Sequence, residues 1–234
     1  MKGSAFFLLL FFLPSVLPAQ DTLNRTDRDG KKQGFWQKTD SAGKKIYEGQ
    51  FRDGIPYGEF RYYYPNGKVK AVSVISGNGK NARTVTFFPG GRKMAEGIYR
   101  EEKRDSTWRF YSEYDGSLLS EENYKEGKKD GISRTYYGGD GIAELTGWKD
   151  GMQEGPWEQY YSDGKLKLKG NYREGLRDGP VTTYFTSGKL LMEGQYVAGN
   201  ADGTWTYYDE TGIPEKREHY QSGSLIRTEN LKPE

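Results

Sequence analysis

The chain has 234 residues, with 35 Lys or Arg against 33 Asp or Glu, so no overall field draws it to nucleic acid. It has no cysteine, which excludes disulfides, thiolate catalysis and cysteine-ligated metal sites. Only 34% of residues are hydrophobic, yet 15% are aromatic; a chain this polar suits disorder unless its buried surface is aromatic rather than aliphatic.

The N-terminus reads "MKGSAFFLLLFFLPSVLPAQ". Lys2 carries one positive charge, residues 5–13 are apolar, and Pro14 leads into a weaker stretch ending at Ala19. This is the layout of a secretory signal peptide, and the apolar run falls short of the roughly 20 residues that span a bilayer. Residues 1–19 are therefore expected to be a signal peptide cleaved near Ala19, and the mature chain to be exported to the periplasm, the cell envelope or the medium. Residues 20–33 follow as a polar leader or cap.

From residue 34 onward one pattern recurs. Anchored at Gly34, Gly58, Ala82, Ser106, Gly131, Gly155, Gly179 and Gly203, it advances by 24 residues at every step but one, which is 25. So constant a period is the mark of a repeat array. The fifth position past the anchor reads Thr39, Tyr63, Phe87, Tyr111, Tyr136, Tyr160, Tyr184 and Tyr208. Later in each unit come Phe51, Ile75, Tyr99, Tyr124, Trp148, Tyr172, Tyr196 and Tyr220. Between these rows lie turns such as "PNGK", "SDGK" and "TSGK", whose Asn-Gly and Asp-Gly pairs favour tight hairpins. Each unit reads as strand, turn, strand and a glycine-bearing connection; glycine at this density disfavours helix. The expected fold is all-β, an elongated, twisted, single-layer antiparallel sheet of hairpins in about eight 24-residue units. The array spans 34–225, about 75 Å at ~4.8 Å per strand, with 226–234 as a polar tail.

"YEGQFRDGIPYGEFRYYYPNGK", "GWKDGMQEGPWEQYYSDGK" and "GNYREGLRDGPVTTYFTSGK" resemble the MORN repeat in its bacterial variant form. The resemblance covers about 34–223 and is weakest in the middle, where Ala82 and Ser106 replace the anchor glycines of the third and fourth units and "AVSVISGNGKN" lacks the tyrosine. It implies consecutive hairpins in a twisted sheet, roles in scaffolding, dimerisation or lipid contact, and no shared catalytic residues. Bacterial members are often labelled antitoxin-like.

Period-2 geometry places the fifth-position row on one face and the second-position row on the other. The first row, Tyr63, Phe87, Tyr111, Tyr136, Tyr160, Tyr184 and Tyr208, is expected to be a structural ladder. Within the second, large aromatics alternate with smaller residues from the second unit onward, and Trp36, Phe60, Trp108, Trp157 and Trp205 form the candidate binding surface. The alternation reads either as a duplicated double unit or as bulk arranged for packing.

Nothing in the sequence builds a catalytic site, a cofactor site or a metal site. His219 is the only histidine and reads as an exposed strand residue. "SGNGKN" departs from the phosphate-loop pattern and reads as a turn. Asp-Gly pairs at Asp53, Asp115, Asp130, Asp150, Asp163, Asp178 and Asp202 are turn chemistry first and stacked calcium ligands second. Adjacent carboxylates such as Glu121 and Glu122, on opposite faces of a strand, do not converge. The expected function is a non-enzymatic, exported interaction scaffold whose partner is an envelope protein, a toxin or a second copy. Binding of a glycan or lipid headgroup through the aromatic rows, and an antitoxin or immunity role, are the alternatives.

Overall fold

The structure, a computed structural model, describes residues 23–139 and 141–231. The expected signal peptide lies outside them. The described residues hold 20 strands and no helix, and every pairing is antiparallel, between neighbours in sequence or across a single two-residue strand. The chain is one open meander, as the 24-residue period requires.

Two kinds of turn alternate. In the stretch quoted for its "PNGK" turn, Gly67 donates to the carbonyl of Tyr64, whose own N–H donates to Lys68. Gly67 has φ 82° while Asn66 stays out of the left-handed region, so this is a four-residue turn closed by one glycine. The two-residue turn lies instead in the connection: Arg52 faces Ile55, and Asp53 and Gly54 between them have φ 53° and 81°. Two successive left-handed residues match the right-handed twist of the strands they join. The Asp-Gly of the connection, not the Asn-Gly of the quoted turn, is the tight hairpin.

The strand after each tight turn carries a bulge. Between the pairs Gln50↔Tyr57 and Glu48↔Arg61, three residues oppose the single Gly49, and the same holds at Gly97 and Gly194. The third unit breaks this rule. Val69–Ser76 and Asn81–Phe87 pair without a shift from Ala71↔Thr86 to Ser76↔Asn81, and their loop holds four residues, Gly77, Asn78, Gly79 and Lys80. The two residues saved from the bulge are spent in the loop, so the period survives while the geometry changes. "SGNGKN" is the turn expected of it.

Units are stitched at both rims. At the tight-turn rim, Gly54, Gly127, Gly151, Gly175, Gly199 and Gly223 each donate to a carbonyl of the preceding hairpin at 2.8–3.0 Å. At the other rim, the hydroxyls of Tyr64, Tyr137 and Tyr161 donate to the carbonyls of Phe87, Tyr160 and Tyr184. At the N-terminal end, Arg25–Thr26 pairs with the start of Lys32–Thr39. The Asn24 side chain both accepts from the Gln37 N–H and donates to its carbonyl. The expected leader thus caps the first strand. The expected polar tail begins inside the last strand, Ser224–Asn230, which pairs with Pro214–Gln221.

Candidate functional site

The second-position row forms the core of the sheet, which corrects its expected role as an exposed binding surface. Phe60, Trp108, Trp157 and Trp205 are only 3%, 1%, 8% and 5% exposed. Trp36 is half-buried, its indole N–H donating to the carbonyls of Arg25 and Gln33. A single layer buries large rings because Phe60, Trp108 and Trp205 are laid at bulges on a glycine of the strand before, while Trp157 lies on Gly170 of the strand after. A Cβ added to Gly49 would lie 2.5 Å from the Phe60 ring, and one on Gly97 or Gly194 would lie 2.4 or 2.3 Å from Trp108 or Trp205. The glycine of "EGQF", "EGIY" and "EGQY" is thus the seat for a ring.

Neighbours on the same face complete the enclosure. Tyr99 meets Trp108 edge-on at 4.8 Å, Tyr196 meets Trp205 at 5.0 Å, and Phe51 meets Phe60 at 5.2 Å. Cations lie over the rings: Arg104 over Trp108, Arg177 over Trp157 and Lys32 over Trp36, each within 4.8 Å of the ring centroid. These cations stand two residues before the anchors, a regularity visible in "KQG", "RDS" and "RDG" that sequence reasoning passed over. The alternation of large and small residues now has a packing reason. Thr84 and Val181 pair directly with Gly97 and Gly194, the glycines already occupied from the other side by Trp108 and Trp205.

The fifth-position row lies on the opposite face, and it is not joined ring to ring. Tyr63, Tyr111, Tyr136 and Tyr208 instead donate their hydroxyls to Glu48, Glu96, Glu121 and Glu193, fifteen residues earlier in each case. Tyr160 donates to Glu158, and Tyr184 accepts from Thr182. The Tyr63 and Tyr111 phenols are pushed up to about 12 by burial and by the adjacent carboxylate. The same hydrogen bonds hold Glu48 and Glu96 below the usual carboxylate range. The "EG" dipeptide therefore serves both faces: its glutamate receives a tyrosine on one, and its glycine seats a ring on the other.

The remaining candidates fall into structural roles. Asp130, Asp178 and Asp202 accept the N–H of the following tight turn from Asp150, Ala198 and Ser222. Asp53 and Asp150 occupy tight turns themselves, and Asp115 and Asp163 close turns onto Ser117 and Lys165. Among the described residues no group of three or more acidic or histidine side chains is arranged to hold a metal ion. Glu121 bonds Arg109 and Tyr136 on one face while Glu122 bonds Lys129 and Tyr124 on the other, so the pair does not converge. His219, partly exposed near the last edge, faces Thr204 and Arg227.

What is left open on the aromatic face is a groove of about 430 Å³ over the third unit, lined by residues that include Tyr62, Ser73, Thr84 and Tyr99. It lies where Thr84 stands in the place that Phe60 and Trp108 hold in the units on either side, and where the register runs without a bulge.

The model of the MORN repeat variant matches residues 56–73, 153–174, 177–198 and 201–228. No curated protein matches the chain. Among solved structures, one titled "Crystal Structure of TcdB2-TccC3-TEV" aligns at 13% identity and a TM-score of 0.18 over 85% of this chain. This chain spans only 14% of that one, and the likeness carries no argument. The four matched stretches, through all of which the hairpin array runs, are MORN repeats of the variant form, a kind of repeat that generally binds proteins or membranes and is generally non-enzymatic.

Proposed function

We propose that the protein is an exported, non-catalytic scaffold that binds an envelope protein by extending its own sheet at the last strand. The observation that carries this reading is the asymmetry of the two ends. The first full strand is covered by Asn24 and Arg25–Thr26. Among the described residues, Ser224–Asn230 is paired on one side only, with Pro214–Gln221. An unpaired edge is a template for an incoming strand, whose main-chain hydrogen bonds supply affinity while alternate side chains supply selectivity. The strand also exposes two apolar side chains, Leu225 and Ile226, at 51% and 62%. Export rests on residues 1–19, with their single charge, apolar run and small residue before the cut. An antitoxin role would use the same edge against a toxin as partner.

The test is in the native envelope. A photo-crosslinking residue at position 226 of the full chain is expected to capture a protein, and the captured species should disappear when Arg227→Pro breaks the strand edge. The mature chain in that fraction should begin at Gln20. Recovery of the protein in the cytoplasm with its leader intact, or equal crosslinking with and without the proline, would overturn the reading.

A further inference from the structure

The groove over the third unit has a chemistry of its own. Its floor holds Ser73 and Thr84, 6% and 4% exposed, with their hydroxyl oxygens 2.8 Å apart. Two hydroxyls carry two hydrogens, and one bridge uses only one of them. The second hydrogen has no acceptor among the described residues. Both hydroxyls line the groove, where a ligand oxygen could receive it.

The walls are aromatic. Tyr62 stands on Ile55–Tyr63 and Tyr99 on Lys93–Arg100, with two strands between them. The two strands are three spacings, about 14 Å, apart, and the register sets Tyr99 four residues along from Ala95, the residue in line with Tyr62, so their backbones lie diagonally about 20 Å apart. That distance is too great for both rings to clamp a single small ring, but it suits a chain laid across the strands that meets one tyrosine after the other. At the mouth, Lys80 and Glu102 bring opposite charges, so the site has no net charge.

We propose that this groove binds a neutral oligosaccharide. Pyranose rings present C–H faces to aromatic side chains and oxygens at their edges, which matches tyrosine walls around a hydroxyl floor. An apolar side chain from a protein partner would trap the spare hydroxyl hydrogen without an acceptor, and a polyanion would meet Glu102. The site is independent of the strand edge at the other end of the array, so either can fail alone. It borders the tryptophan row, since Tyr99 packs on Trp108, but the Trp108 ring itself is committed to the core.

The experiment uses the full mature chain on an array of neutral and acidic glycans, followed by calorimetric titration with cellopentaose and chitopentaose. At least one neutral oligosaccharide should be retained. Tyr62→Ala should weaken binding roughly tenfold or more, and Ala82→Phe, which puts a bulky ring into the groove from a residue that lines it, should abolish it. Circular dichroism and urea midpoints establish that each variant is folded, and loss of binding in either folded variant supports the site. Retention of acidic glycans only, of no glycan, or of a neutral glycan indifferent to both substitutions overturns it.

Discussion

At the scale of single residues, the most demanding positions are glycines that carry no unusual backbone angle. Gly97 is in an extended strand, and its lack of a side chain matters because the Trp108 ring occupies the space a Cβ would need, 2.4 Å away. Gly97→Ala should lower stability by about 1–3 kcal/mol, as overpacking does in a filled core, read as the urea unfolding midpoint. Gly90 has nothing within 4 Å of its virtual Cβ, and Gly90→Ala should stay within about 0.5 kcal/mol of the parent. Equal effects at the two sites would refute the seat. The repeated glycine was plain in the sequence, but composition offers no way to tell a glycine needed for φ from one needed for room.

At the scale of the element, the two turn types divide the work of the hairpin. The tight turn needs two left-handed residues in a row, a cost that Asp53-Gly54 meets with a residue tolerant of that region. Ala198 does not, with φ 47° before Gly199. Ala198→Asn creates the preferred Asn-Gly pair and keeps the N–H that donates to Asp178. It should stabilise the protein by about 0.5–1 kcal/mol in thermal or urea unfolding, and a loss of stability would mean that the turn is not of this type. The third unit shows how far an element can depart from its sisters. Its degenerate sequence was legible, but the exchange of a bulge for a longer loop was not, because both versions have the same length.

For the whole molecule, stability comes from neighbour contacts repeated along the array, and the Tyr–Glu rungs make that sum depend on pH. Glu48 and Glu96, with lowered values, contribute stability above the ordinary carboxylate range and lose it as pH falls through their folded values. Tyr63 and Tyr111, raised to about 12, contribute below the ordinary phenol value of about 10 and lose it as pH rises through about 12. The urea midpoint should therefore be flat from about pH 5 to about pH 9 and fall on either side. Tyr111→Phe should lower the plateau and shallow the alkaline fall, since one rung is gone. An alkaline limb identical in parent and variant would remove the rung from the account.

Period, strand polarity and the assignment of rows to faces were determined by the sequence alone, because a 24-residue repeat and a two-residue alternation are local regularities that survive in any packing. Which face became the core was decided only in the folded sheet. Phe60, Trp108, Trp157 and Trp205 read as rings available to a ligand until pairing laid them on glycines of adjoining strands and Arg104 and Arg177 closed over Trp108 and Trp157. Burial in a single layer depends on what the next strand places beside a ring, and that neighbour is set by register, which the bulges alter by two residues without any trace in the spacing.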